Sequence, residues 1–89
     1  HIAGYPGRYA NGISTLLKTH HPNVFICGHS HVLRVMRDTS HNLLFMNPGA
    51  CGTHGFHKVR TALRFTIDAT GIKEVEAREF GPRTQPFYI

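Results

Sequence analysis

A four-residue apolar run, Val24-Phe25-Ile26-Cys27, lies between Pro22 and Gly28. Its short length and unbroken apolar character predict a buried strand rather than a helix. Upstream, Ile13, Leu16 and Leu17 recur at helical spacing, which predicts a helix over 9–19 that His20 closes and Pro22 ends. Tyr5-Pro6-Gly7 reads as a turn before it. Downstream, 32–37 and 43–46 are predicted strands, with polar 38–42 as their turn and Asn47-Pro48-Gly49 as the stop. Leu63, Phe65 and Ile67 then alternate with Arg64, Thr66 and Asp68, the period of a half-buried strand. After a turn at 69–71 the chain returns over 72–80, giving a hairpin at a sheet edge. One helix followed by about five strands makes an α/β chain whose main layer is a sheet.

Bulk properties narrow the function classes. At 89 residues, 40% of them hydrophobic, the chain has room for one domain and too much apolar content for disorder. No apolar run reaches the ~18 residues of a membrane span, and no basic-then-apolar leader is visible, so a cytoplasmic protein without membrane contact is expected. The opening His1 fits either a processed product or a piece of a longer protein. Two cysteines, Cys27 and Cys51, are too few for a disulfide framework and are expected as buried, reduced thiols. Ten Lys and Arg stand against five Asp and Glu, a net charge of +5. Residues 1 to 37 hold four cations and no acid. Such a balance attracts phosphate groups, and it is also what remains when an acidic half of a larger domain is absent. No basic run is interleaved with aromatics, which disfavours nucleic acid as a partner.

The feature with most chemistry is Gly28-His29-Ser30-His31, directly after the predicted strand. In an extended segment, side chains at i and i+2 share one side, so both imidazoles could face a pair of divalent ions. The C-terminal end of a buried strand is where α/β sheets place their ligands. A surface loop with two solvated histidines is the plain alternative.

Gly28-His29-Ser30-His31 is similar to the Gly-His-x-His closing motif of calcineurin-like metallophosphoesterases. Asn47-Pro48-Gly49-Ala50 resembles the Asn-Pro-Gly-Ser segment of their small bacterial and archaeal phosphodiesterase branch, with Ala50 in place of Ser. His1 stands where that family has its preceding metal-binding histidine, although Ile2 and Ala3 separate it from Gly4. The resemblance covers residues 1–80 and implies the C-terminal half of the family's αββα sandwich, with 81–89 as a tail.

It further implies a metal-dependent phosphoesterase that hydrolyses phosphodiesters or phosphomonoesters through a hydroxide activated by two divalent ions of Mn, Zn or Fe. Of the ligands, His1 and His29 would serve one ion and His31 the other. The family's Asp-x-His, Gly-Asp-x-x-Asp and Gly-Asn-His motifs do not occur here, so no catalytic residue is assigned. The implied partners are a small phosphate-ester substrate and the missing N-terminal half of the same domain. This chain would supply histidine ligands only and be inactive alone. Arg8, Asn47 and His57 are candidate substrate contacts, since Arg in particular matches phosphate oxygens. The alternative is a scaffold subunit that keeps the fold for protein binding without catalysis, as one retromer subunit does.

Overall fold

A computed structural model describes residues 2–84. The chain opens as a two-residue hairpin, β1 (Gly4–Tyr5) and β2 (Arg8–Tyr9), around Pro6-Gly7. Gly7 has φ 88°, the conformation a type II turn asks of the residue after proline. Helix α1 spans Ile13–His20, not 9–19. Tyr9 belongs to β2, and Gly12 at φ 87° sets the helix start. The helix ends at His21, whose left-handed backbone donates its N–H to Leu17 O at 3.0 Å, and Pro22 follows.

Three strands form a mixed sheet in the order β3-β5-β4. β3 (Val24–Ile26) runs parallel to β5 (Leu43–Pro48), and β4 (Leu33–Asp38) pairs antiparallel with β5 on its other side. The sequence predicts a buried strand here, yet Ile26 is 56% exposed. Among the described residues its only ladder partner is β5, so it is an edge strand half covered by the core. That core is Ala3, Leu17, Cys27, Leu43 and Phe45, with Tyr9, Ile13 and Phe25 packed against it. Helix and opening hairpin thus cover one face of the sheet. Leu43 and Phe45 share that face because strand side chains alternate.

The final hairpin, β6 (Val59–Asp68) and β7 (Gly71–Pro82), is a separate two-stranded sheet and not the edge of the first. Its base is tied to β5: Thr61 N–H donates to Ala50 O at 2.8 Å, and the Thr61 hydroxyl to Pro48 O at 2.8 Å. The remainder is mostly exposed and laced by Arg64–Glu76, Arg78–Glu76 and Lys73–Asp68 ion pairs. The chain is an α/β unit of one helix and several strands in small sheets. No helix among the described residues is long and apolar enough to cross a membrane. Both cysteines are free; Cys27 is buried as expected and Cys51 is exposed.

Candidate metal centre

Two motifs separated by 15 residues meet at one end of the sheet. β3 and β5 are parallel, so the segments that follow them leave on the same side. Gly28-His29-Ser30-His31 follows β3, and Asn47-Pro48-Gly49 closes β5. Cys27 extends the ladder one residue past β3, its N–H donating to Met46 O at 3.0 Å. Its thiol is buried, which raises its pKa and keeps it a neutral core group rather than a metal ligand.

Beyond Gly28 the backbone is not extended. His29 has φ 81° and His31 φ 62°, both in the left-handed region that non-glycine residues seldom occupy. The i, i+2 alternation presumed for an extended strand therefore does not apply. Such strain costs on the order of 1–3 kcal/mol per residue and persists where the surroundings impose it. Here they do. Ser30 Oγ accepts the Val32 N–H at 3.3 Å and the Asn47 side-chain amide at 3.0 Å. Asn47 is 3% exposed, and its Oδ1 accepts the Gly49 N–H at 3.0 Å. One buried amide so clasps both motifs together.

The twist sends the two histidines to different surroundings. His29 lines a cavity of about 230 Å³ with Ile2, Ala3, Tyr5, Arg34 and Asn47. The Arg34 guanidinium lies 4.1 Å over the Tyr5 ring. His31 is not part of that lining. Its Nδ1 is 3.1 Å from His57 Nδ1, and the two rings are edge-on with centroids 4.9 Å apart.

The other residues singled out by sequence fall as follows. His1 lies outside the described residues, as do Phe87 and Tyr88 of the tail. Arg8 is exposed on β2 and absent from the cavity lining. Asn47 borders the cavity with both ends of its amide already engaged. His57 reaches His31. Sequence reasoning missed Ser30, which occupies the unspecified position of Gly-His-x-His. It also missed Arg83, whose guanidinium holds His57 O at 2.7 Å and Thr53 O at 3.3 Å. Its position beyond the last patterned strand gave no signal.

A divalent ion pair needs carboxylate or other oxygen donors beside imidazoles, because neutral histidines cancel none of its charge. Among the described residues no group of three or more His, Cys, Asp or Glu converges. The nearest candidate acid in sequence, Asp38, ends β4 five residues past Leu33, roughly 17 Å along the strand. It is already bound to Tyr9 and His41. The described residues therefore fit the imidazole part of such a site and not the whole of it.

Gly49 makes the clasp testable. It has φ 75°, and a Cβ there would collide with Thr61 Oγ1. Gly49→Ala is expected to cost about 1–3 kcal/mol, read as a lower urea midpoint. An unchanged midpoint would mean that the turn is not held as described.

The family model for the calcineurin-like phosphoesterase superfamily domain matches residues 1–70. No curated protein and no solved structure matches the chain.

Proposed function

We propose a function for a chain that belongs to the calcineurin-like phosphoesterase superfamily: it supplies the histidine ligands of a dinuclear centre that hydrolyses phosphate esters. Members of this family are generally phosphate-ester hydrolases and typically bind divalent metals. One observation supports the finer reading above the rest. The Gly-His-Ser-His and Asn-Pro-Gly motifs sit at the C-terminal ends of two adjacent parallel strands, locked to each other by Ser30 and Asn47. Strained histidines at that position are where a sheet of this kind binds ligands.

In this reading His29 and His1 serve one ion and His31 the other, while carboxylates come from a further segment of the same domain. The edge of β3 that stays unpaired among the described residues and the exposed Ile26 are consistent with such a segment packing there. When bound, the ions supply water activation and charge neutralisation for a phosphodiester or phosphomonoester. This chain's residues hold and orient. Ser30 and Asn47 fix the turn, the left-handed backbone divides the two imidazoles between the cavity and the 51–57 loop, and Arg34 brings positive charge to the cavity wall.

Metal content by mass spectrometry, with hydrolysis of aryl phosphodiesters and monoesters in Mn²⁺, tests the proposal. Near two ions per chain and turnover are expected when the remaining half of the domain is present. Residues 1–89 alone should hold one ion or none. His31→Ala should release one ion. Ions without turnover would favour the scaffold reading, and no ion uptake at all would overturn the histidine assignment.

A further inference from the structure

The 51–57 segment has no regular secondary structure, yet two of its residues meet the His31 ring and the Arg83 side chain holds its carbonyls. Gly55, at φ 130°, turns its bare Cα toward the His31 ring, and a Cβ there would overlap His31 Nδ1 and Cε1. His57 meets the same ring edge-on. Arg83 clamps the segment by its carbonyls at 53 and 57 and returns its own N–H to Lys58 O at 2.9 Å. This construction bears on a single imidazole.

Proton positions follow from the partners. His57 Nε2 lies 2.8 Å from Gly52 O, which can only accept, so His57 bears its proton on Nε2. A neutral His57 then presents an unprotonated Nδ1. The 3.1 Å contact between the two Nδ1 atoms is a hydrogen bond only if His31 donates from Nδ1. His31 Nε2 is then the unprotonated ring nitrogen and keeps its lone pair. We infer that His57 is a positioning residue that holds His31 in its Nδ1–H tautomer, presenting the Nε2 lone pair to a divalent cation. The cation rests on the phosphoesterase reading; the tautomer does not. A ligating histidine oriented by a second acceptor in this way gains basicity and loses rotational freedom, which typically changes metal affinity by about 10–100-fold.

The test is made on the full chain, first without metal. At a pH of about 8.5, where imidazoles are neutral, two-bond ¹⁵N–¹H correlation spectra report the protonated nitrogen of each histidine. His31 is expected with its proton on Nδ1, opposite to the form favoured by free histidine. His57→Ala should return His31 toward the Nε2–H form and weaken Zn²⁺ binding, measured calorimetrically, about 10–100-fold. His57→Asn places a carbonyl oxygen near the lost Nδ1 and should restore both. A wild-type His31 protonated on Nε2 would overturn the inference. So would an alanine variant with unchanged tautomer and affinity, or Zn²⁺ shifting His57 Nδ1 into the coordinated range, which would make His57 itself a ligand. Should His57→Ala fail to fold, the wild-type spectrum and the asparagine variant decide alone. Absence of phosphoester turnover with the remaining half of the domain present would sink the functional reading and leave the tautomer result standing.

Discussion

Phe45→Ala is expected to remove about 3–5 kcal/mol of stability. Phe45 is 1% exposed on β5, the central strand, with Tyr9 at 6.2 Å and Phe25 at 6.1 Å between ring centroids. It joins the opening hairpin, the sheet and, through the same cluster, Leu17 of the helix. Deleting the ring forfeits its transfer free energy and leaves a cavity whose walls come from three elements that cannot all move inward. A small domain has a total stability near the lower end of about 5–15 kcal/mol. The variant should therefore populate the unfolded state markedly at room temperature. Urea denaturation followed by far-ultraviolet circular dichroism measures this. A loss under ~1 kcal/mol would show that the Tyr9–Phe25–Phe45 cluster is loosely packed and that the core lies elsewhere.

Much of this packing could be read from the sequence because apolar runs bounded by proline and glycine are local signals. The 43–46 run, stopped by Asn47-Pro48-Gly49, became β5, and the alternation around Phe65 became β6. Five strands follow the one helix, as the patterns predict, and two short ones, β1 and β2, precede it. What failed depended on backbone signs or on distant partners. The helix began four residues late because Gly12 adopts φ 87° and Tyr9 is recruited into β2. The expectation that His29 and His31 share one side assumed an extended backbone, and the left-handed φ of two non-glycine residues leaves no compositional trace. The bond between Ser30 and Asn47 spans 17 residues, and that between Arg83 and His57 spans 26. No periodicity announces either. The separation of the last hairpin from the main sheet likewise follows from how β5 ends, not from a pattern within β6 or β7.

Asp38 shows the same limit and gives the second large prediction. It opens a polar-looking turn in the sequence, yet it is the last residue of β4 and only 5% exposed. Its carboxylate accepts the Tyr9 hydroxyl at 2.7 Å, the Ser40 and His41 N–H groups at 3.0 and 3.2 Å, and lies 2.9 Å from His41 Nδ1. Burial alone would raise its pKa, but the hydrogen bonds from Tyr9 and His41 outweigh burial and lower it. Burial, followed by the bond and charge of Asp38, pushes the Tyr9 phenol well above its ordinary value. One cost remains in the cluster, since His41 Nε2 is buried without a hydrogen-bond partner among the described residues.

A carboxylate whose folded pKa lies below its unfolded value of about 3.9 stabilises the fold fully above that value. The contribution is lost as pH falls through the folded pKa. The urea midpoint should therefore be insensitive to this group from neutrality down to about pH 5 and should fall below about pH 4. Asp68 and Glu76 are also lowered, by the Lys73 and Arg78 partners respectively, so the wild-type slope contains more than one group. Comparison with Asp38→Asn isolates the buried one: the variant should be less stable at pH 7 and should lose stability less steeply below pH 4. Asp38→Ala leaves the Tyr9 hydroxyl, His41 Nδ1 and two backbone N–H groups without an acceptor. It should cost about 3–5 kcal/mol at pH 7. Parallel acid limbs for wild type and Asp38→Asn would mean that Asp38 enters the fold already protonated, and that the hydrogen bonds from Tyr9 and His41 do not hold a charge.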